Sequence, residues 1–430
     1  MSSDPMHAEV DRRCAAIEPQ VVRWRHHFHR NPELPNREAG TAALIADHLT
    51  SLDLDEVRTG VSGHGVVGVL KGGAPGDGRV VALRADIDAL PVREESGESF
   101  AATVVDEDYP GGPFPVAHAC GHDGHTAMLL GAATVLAGLR DRLPGTVLFL
   151  FQPAEEGAPA DEKSGAKEML AQGACDDPVP TMAFGMHLGP LPDGHAGYRV
   201  GNQFGASCLV RIVLTGRQVH GSTPWEGVDP VPAAGAIQVG IGQVYRQVPA
   251  FDPITVTIGH VEDVGRFNIV PGEITLWGTI RCVAEADMGD VRRRLTTLAE
   301  QTAAAYGCTA SVEYLQDVPA VRNRGEWVDA VLPTVVRVVG EDAVFETPPT
   351  LGYDDVSEFV NRFGGVYLML GAQDGRLADD GGLEPVPGGR GLVPNHNPRF
   401  YVNDDALLSG VRLHCHVAYD HLTGALLPRK

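Results

Sequence analysis

An eight-residue stretch, HACGHDGH (residues 118–125), places three histidines, one cysteine and one aspartate side by side. Cysteine sulfur and histidine nitrogen are the usual ligands of zinc-like ions, so Cys120 and His122 are candidate ligands. A structural zinc site takes four ligands from paired Cys/His knuckles, and the sequence has no second knuckle. The stretch is equally compatible with a helix start that carries surface histidines. A catalytic metal site would need carboxylates from elsewhere in the chain.

Two other motifs contain acidic residues at the ends of apolar segments. Glu155 and Glu156 are adjacent in FQPAEEG, and Asp86 and Asp88 stand two apart in RADIDALP, where their side chains would share one face of a strand. Neighbouring carboxylates repel unless cations lie nearby, so one glutamate could bind metal while the other accepts a proton from activated water. A solvated acidic loop and a strand-terminating turn are the alternatives.

Two further histidines follow predicted strands or loops of the same region. His187 lies in AFGMHLGP after a short apolar segment, and His396 lies in VPNHNPRF after a long loop. A lone histidine is more often structural than a ligand. However, these groups all fall at strand ends of one predicted sheet, where α/β proteins collect their ligands.

The elements that must position these residues alternate between strands and helices. Apolar runs at 65–72, 79–90 and 145–152 predict buried strands, and an Ala/Leu-rich segment from the histidine cluster to Arg140 predicts a helix. This alternation of strands and helices favours the α/β class, with a mixed, largely parallel sheet flanked by helices.

The order of the predicted strands and helices changes near Gly201. The order strand-helix-strand-strand-helix-strand that follows is typical of a ferredoxin-like α+β domain. We therefore predict a discontinuous catalytic domain formed by residues 1–203 and 318–430, with a second domain, 204–317, inserted into it. The Gly-, Pro- and Asp-rich stretch 371–394 is predicted to be a loop.

Composition narrows the class of protein. The chain has 430 residues, and its 34 Lys+Arg against 56 Asp+Glu give a net charge of -22. This acidity disfavours nucleic acid and anionic membranes as partners. No run approaches the roughly 20 apolar residues of a membrane span, and the N-terminal residues lack a signal-like apolar core. The seven scattered cysteines are typical of a reducing compartment, so we expect a cytoplasmic protein.

Taken together, the motifs resemble a known family. RADIDALP, HACGHDGH, FQPAEEG and MHLGP, followed by HGSTPWEGVDPV, NIVPGE, GTIR and HNPRF, occur in the order found in di-metal amidohydrolases related to aminoacylases and zinc carboxypeptidases. The sequence is most similar to the branch with hippurate hydrolases, N-acyl-amino-acid amidohydrolases and indole-acetyl-amino-acid hydrolases. The resemblance covers nearly the whole chain.

The resemblance implies a metal centre with two divalent ions, Zn²⁺, Mn²⁺, Co²⁺ or Ni²⁺. The Cys120 thiolate would bridge the ions. Glu155 would be the general base that activates a bridging water, and Asp88, beside Asp86, would orient a metal ligand. The remaining ligands would be His122, Glu156, His187 and His396.

The resemblance also assigns a role to the inserted domain. This domain would be a lid through which two chains form a homodimer. His220 would reach across the dimer to the substrate carbonyl, and Asn268 and Arg281 would hold the substrate carboxylate. The expected activity is hydrolysis of N-acyl amino acids to a carboxylic acid and an amino acid.

Several alternatives stay open. A dipeptidase or carboxypeptidase would offer the same carboxylate to Arg281, and a non-catalytic binder of amino-acid conjugates could share the scaffold. A binder has no use for Glu155 as an unligated base. A thiol-redox role for Cys120 lacks a neighbouring resolving cysteine. The chain also departs from the family at 353–356, where Tyr-Asp-Asp-Val replaces a common Ser-Glu-Asp-Phe, and at Asn403-Asp404 in place of Asp-Glu.

Overall fold

The computed structural model describes residues 5–163, 165–263, 265–378 and 380–428. The α-helices within these ranges are α1 (Pro5–Arg30), α2 (Ala39–Ser51), α3 (His122–Ala137), α4 (Gly165–Ala171), α5 (Pro230–Tyr245), α6 (Met288–Ala305), α7 (Gly325–Val339), α8 (Ser357–Phe363) and α9 (Asp405–Leu422). None of these helices combines the length and apolar character that a bilayer crossing requires.

The strands are shorter and more numerous than the helices. In the described ranges they are β1 (Glu56–Val61), β2 (Gly65–Lys71), β3 (Val80–Asp86), β4 (Val105–Asp106), β5 (Phe114–Pro115), β6 (Thr146–Gln152), β7 (Met182–Pro192), β8 (Ala196–Tyr198), β9 (Gly201–Phe204), β10 (Ala206–Thr215), β11 (Val219–His220), β12 (Ile254–Asp263), β13 (Ile269–Val270), β14 (Glu273–Cys282), β15 (Thr309–Val318), β16 (Val321–Asn323), β17 (Val344–Glu346), β18 (Gly365–Gln373), β19 (Gly375–Leu377) and β20 (Leu383–Pro385).

The chain folds into two compact units. Unit 1 comprises Met1–Gly201, Arg322–Pro348 and Asp355–Lys430, and unit 2 comprises Asn202–Val321 and Pro349–Asp354. The short segment Pro349–Asp354 belongs to unit 2 although it lies well beyond the inserted region in sequence.

Unit 1 is built on an eight-stranded sheet in the order β1-β2-β6-β3-β7-β18-β8-β17. The central strands β6, β3, β7 and β18 run parallel to one another. The pairs β1 with β2, β2 with β6 and β8 with β18 are antiparallel, and the edge strand β17 is parallel to β8. Strand β3 is buried along its whole length and β6 along nearly all of it, as expected for strands covered on both faces. The predicted mixed, largely parallel α/β sheet flanked by helices is confirmed.

Helix α3, which begins at His122, lies deep in unit 1. It packs against α1 and α9 as well as against β3 and β7. Nearly all of its residues are buried, which explains why its sequence is apolar all round rather than on one stripe. The packing is close: a Cβ at Gly131 would come within 2.7 Å of a Val21 methyl carbon and 3.0 Å of a Val411 methyl carbon. The helix that carries the histidine motif is therefore fixed by the core itself.

Unit 2 contains the predicted ferredoxin-like arrangement. Its antiparallel sheet has the order β12-β14-β10-β15, and the helices α5 and α6 pack on β10 and β14. The two long inner strands, β10 and β14, alternate between buried and half-exposed residues along most of their length, as expected for a sheet covered on one face.

The prediction of a loop at 371–394 is incomplete. Strand β18 extends to Gln373, and β19 and β20 then form a two-stranded antiparallel hairpin in the register Gly375 to Pro385. The guanidinium of Arg390 stacks on the Tyr401 ring at 3.8 Å and anchors the end of this segment. The segment consists mainly of turn-forming residues, and a pairing of three residues on each strand is too short to produce a recognisable sequence pattern.

Candidate metal centre

Three neighbouring segments of unit 1 bring the candidate side chains to one edge of its sheet. Strand β3 ends at Asp86, and its parallel neighbour β6 ends at Gln152, three residues before Glu155. The backbone N–H of Ile87 donates to the Gln152 carbonyl at 3.0 Å, so the two strand ends stay joined. Their acidic residues consequently emerge side by side.

The start of α3 contributes the thiol and an imidazole to the same edge. Gly121 occupies the N-cap position with φ 92°, a left-handed conformation that favours glycine. This turn lets Cys120 and His122, one residue on either side of it, both enter the site. Their side chains are buried.

The ligand atoms of the predicted set lie close together. The Cys120 Sγ is 3.5 Å from the His187 Nε2. The His122 Nε2 is 3.8 Å from a Glu155 oxygen and 3.9 Å from a Glu156 oxygen. The His396 Nε2 is 3.1 Å from the same Glu156 oxygen. These residues form three overlapping groups, and within each group the ligand atoms lie within 4.8 Å of one another. The groups are Cys120, His122 and His187; Cys120, Glu156 and His396; and His122, Glu155 and Glu156.

The donor set fits divalent metal ions. The His122 Nε2 is buried and has no hydrogen-bond partner among the described residues, although three carboxylate oxygens lie within 4 Å of it. Burial, followed by the charges of Glu156 and Glu155, raises the pKa of the Cys120 thiol well above its usual value. A thiolate here therefore requires added positive charge, and sulfur, imidazole and carboxylate ligands together suit zinc-like ions.

Asp88 holds two of these groups in place, as an orienting carboxylate should. One of its oxygens lies 3.2 Å from the His122 Nδ1, and the other accepts the Glu156 backbone N–H at 2.9 Å. The His122 Nδ1 also lies 3.0 Å from the Asp88 carbonyl. Because Nδ1 faces these acceptors, it would keep its proton when a metal ion takes the lone pair of Nε2, which faces the other ligand atoms.

A buried chain of hydrogen bonds behind the site has no counterpart in the sequence predictions. Arg84 donates to Asp86 at 2.6 Å, and the other Asp86 oxygen lies 2.5 Å from the His125 Nδ1. The His125 Nε2 accepts the Leu188 backbone N–H at 2.8 Å, and the Leu188 carbonyl accepts from the His187 Nδ1 at 2.7 Å. His125 therefore orients His187. Only its position in the HACGHDGH motif could have singled it out.

Asp355 lies in the segment 353–356 that departs from the family pattern, and it contacts the strand ends of the site. Its carboxylate accepts hydrogen bonds from the Gln152 side chain at 2.6 Å, the Arg84 guanidinium at 3.2 Å and the Ala166 N–H at 2.7 Å. Asp355 is buried and therefore supports the strand ends from behind.

A charged cluster fixes the first turn of α3 to α1. Asp123 accepts from Arg25 at 3.1 Å and lies 2.8 Å from the His29 Nδ1, whose Nε2 lies 2.8 Å from Glu94. Burial by itself would lower the pKa of His29, but the Asp123 charge and the hydrogen bonds to Asp123 and Glu94 outweigh it and raise the pKa to about 9. Arg25 also pairs with Asp404, one of the two residues that depart from the family pattern.

The remaining candidates lie in unit 2. His220, in β11, is a neighbour of Asn268, whose carbonyl accepts the Gly221 N–H at 2.9 Å. The His220 Nδ1 accepts the Ser222 backbone N–H at 3.0 Å, which leaves the Nε2–H as a donor. Arg281, in β14, donates to the Leu351 carbonyl at 3.3 Å, and its guanidinium lies 4.9 Å above the Tyr353 ring.

Comparison with known proteins places the chain in a family. The sequence pattern of peptidase family M20/M25/M40 matches residues 82–420. The chain is 33% identical over 417 residues to the IAA-amino acid hydrolase ILR1-like 2 of Arabidopsis thaliana, covering 95% of this chain and 87% of that protein. It is 33% identical over 406 residues to the thermostable carboxypeptidase 2 of Saccharolobus solfataricus, covering 94% and 95%.

A solved structure agrees with this assignment. A dinuclear metal binding peptidase of the M20 family from Bacillus subtilis superimposes with a TM-score of 0.70 at 27% identity, covering 95% of this chain and 99% of that one. The chain therefore belongs to peptidase family M20/M25/M40. The predicted resemblance to di-metal amidohydrolases is confirmed, and so is the prediction of a metal-dependent hydrolase that acts on amide bonds.

Replacing His125 tests its role behind the site. H125L removes both hydrogen bonds of the ring and should weaken metal binding by about 10- to 100-fold, measured by competition with a chelator of known affinity. H125Q, whose oxygen can still accept the Leu188 N–H, should lose less. H48L is the control, because His48 bonds Thr134 in α3 and does not touch the ligands. An H125L protein with the parent's metal affinity would contradict this role.

The raised pKa of His29 predicts a loss of stability in mild base. Because the folded pKa of about 9 lies above the unfolded value of 6.5, this group stabilises the fold fully below pH 6.5. The contribution, at most about 3 kcal/mol, disappears as the pH rises through 9. Urea unfolding from pH 6.5 to 10 should show this decline in the parent and a flatter profile in H29Q. Parallel profiles for the two proteins would refute the assignment.

Proposed function

We propose that the protein hydrolyses N-acyl amino acids to a carboxylic acid and a free amino acid. The observation that carries this proposal is the position of Glu155: its carboxylate is buried and lies 3.8 Å from the His122 Nε2, beside the candidate metal ligands. A carboxylate in that position can exchange protons with a nucleophile held among the ligands. The relative from Arabidopsis, named for hydrolysis of an amino-acid conjugate, supports this substrate class.

The proposed metal ligands are all in unit 1. Two divalent ions would be held by Cys120, His122, Glu156, His187 and His396. When bound, the ions supply a water of lowered pKa and polarise the scissile carbonyl. Zn²⁺, Mn²⁺, Co²⁺ and Ni²⁺ all suit these donors, and metal supply commonly decides among them.

The protein's own groups carry out the proton transfers. Glu155 accepts a proton from the attacking water and delivers it to the nitrogen of the leaving amino acid as the C–N bond breaks. Asp88 keeps His122 and the Glu156 backbone in position during both steps. Removing a general base of this kind typically slows turnover by about 100- to 10,000-fold.

Residues of unit 2 complete the proposed mechanism. The Nε2–H of His220 donates to the oxyanion that develops on the carbonyl oxygen, since Ser222 already occupies Nδ1. Asn268 and Arg281 bind the carboxylate of the amino-acid half. A guanidinium suits a planar carboxylate, and the Leu351 carbonyl and the Tyr353 ring hold it in place.

A dipeptidase or carboxypeptidase is the second candidate. The relative from Saccharolobus carries the name carboxypeptidase, and a peptide presents the same carboxylate to Arg281. Parallel assays with N-acyl amino acids and with dipeptides that share the same C-terminal residue would distinguish the two activities. A higher kcat/KM for dipeptides would favour the peptidase.

We also propose an oligomeric state and a cellular location for the protein. The inserted domain, residues 204–317, serves as a lid through which two chains form a homodimer, and the catalytic domain comprises 1–203 and 318–430. We place the enzyme in the cytoplasm, because its seven cysteines are free and buried.

Substitution of Glu155 tests the proposed base. E155A should retain bound metal, because Glu155 is not a ligand, but lose about 100- to 10,000-fold in kcat. Elemental analysis together with release of the free amino acid from a panel of N-acyl amino acids measures both. E168A is the control, since that carboxylate lies on α4 and accepts a hydrogen bond from the Gln172 side chain. Turnover by E155A at the parent rate would rule out the role.

Mixing two inactive variants tests the dimer. H220A should be inactive with its metal retained. If His220 acts on the site of the partner chain, an E155A/H220A heterodimer contains one complete site, so refolding the two variants together should restore activity. Activity no higher than that of the separate variants would contradict action across the dimer.

A further inference from the structure

The segment between α1 and α2, residues 31–38, contacts both acidic turns of the metal centre. The Glu33 carbonyl accepts the Ala89 N–H at 2.8 Å, directly after Asp88. At the other end of the segment, the Glu38 carboxylate accepts the Ala154 N–H at 2.8 Å, directly before Glu155. One short connection thus reaches the backbone on both sides of the site.

Ala154 has an unfavourable backbone conformation, and its hydrogen bond to Glu38 helps to hold it. Ala154 has φ 53°, in the left-handed region that residues other than glycine seldom adopt. It is 3% exposed, so water cannot readily satisfy its N–H. Such a conformation persists only where the surroundings hold it, and the residue that follows is the proposed base.

Glu38 is free to make this contact because another residue caps its helix. Glu38 is the N-cap residue of α2, yet its side chain makes no capping hydrogen bond. Glu33 instead accepts the N–H groups of Gly40 at 2.9 Å and Thr41 at 2.7 Å. The capping role and the Ala154 contact are therefore divided between two glutamates of one segment.

The environment of Glu38 favours a hydrogen-bonding role over an ionic one. Glu38 is fully buried, and burial followed by the charge of Asp88 raises its pKa to about 8. A neutral carboxyl retains a carbonyl oxygen that can accept from the Ala154 N–H.

We propose that Glu38 is a positioning residue that holds the Ala154 turn, and thereby the carboxylate of Glu155, in its catalytic position. The inference rests on the proposed role of Glu155 as general base. It predicts that the reach of the Glu38 side chain matters more than its charge.

Four variants separate reach from charge. E38Q keeps the length and an acceptor oxygen, and should retain most of the parent kcat. E38D keeps the carboxyl group but is one methylene shorter, and should lose roughly 100-fold in kcat, as expected for a catalytic group displaced by about 1 Å, with KM and metal content near the parent values. Adding A154G to E38D should recover part of the loss, because glycine adopts positive φ without strain. E33A, the control in the same segment, should lower the melting temperature without lowering kcat below that temperature.

Amide exchange provides a readout that is independent of activity. Mass spectrometry of the peptide that contains Ala154 should show faster exchange in E38D and parent-like exchange in E38Q and E33A. Parent-like kcat and exchange in E38D, or a loss in E38Q as large as that in E38D, would overturn the proposal. If the parent enzyme is inactive on every N-acyl amino acid and dipeptide, the proposed function is refuted instead. In that case the amide-exchange experiment still tests the Glu38–Ala154 contact, which unchanged exchange in E38D would refute.

Discussion

The crowding of acidic groups around His122 is the constraint on which the rest of the structure depends. Oxygens of Asp86, Asp88, Glu155 and Glu156 each lie within 4 Å of one of its two ring nitrogens, and all of these side chains are at most 7% exposed. So many carboxylates are compatible with a folded interior only where positive charge balances them. A pair of divalent ions held among these side chains would provide that balance.

The surrounding structure supplies counter-charges at the periphery and rigid support at the centre. Arg84 neutralises Asp86 and Asp355 from behind the sheet, and Arg25 with His29 neutralises Asp123 beside the first turn of α3. Arg84 belongs to a buried strand, and Arg25 and His29 belong to a long helix packed on the core. Most of the candidate ligands lie in or directly after a buried strand or at the start of a helix packed on all sides, which restricts their movement, whereas His396 lies in a loop and is half exposed.

The sequence predicted the central features because each of them has a local signal. Buried parallel strands such as β3 and β6 are continuous apolar runs, and the pair Glu155-Glu156 follows one of them directly. The ligand candidates Cys120 and His122 stand one residue from the glycine that turns the chain into α3. The structure brings them close to His187 and His396, which only the family resemblance predicted: His187 lies within β7 rather than at its end, and His396 lies in a loop.

The features that sequence analysis missed depend on partners far apart in the chain. His125 was not among the ligand candidates, and its partners Asp86 and Leu188 lie outside its motif. Glu38 directly precedes α2, but its carboxylate accepts a hydrogen bond from Ala154, 116 residues away. Two other features have no periodic pattern in the sequence that could have predicted them. They are the membership of Pro349–Asp354 in unit 2 and the hairpin of β19 and β20.

The most direct test of this account is the metal stoichiometry of the intact protein. Protein purified without chelators, loaded with Zn²⁺ or Mn²⁺ and freed of excess ions should contain two metal equivalents per chain by inductively coupled plasma mass spectrometry. Retention of none under these conditions would contradict the central claim that cations balance the buried carboxylates and the Cys120 thiolate.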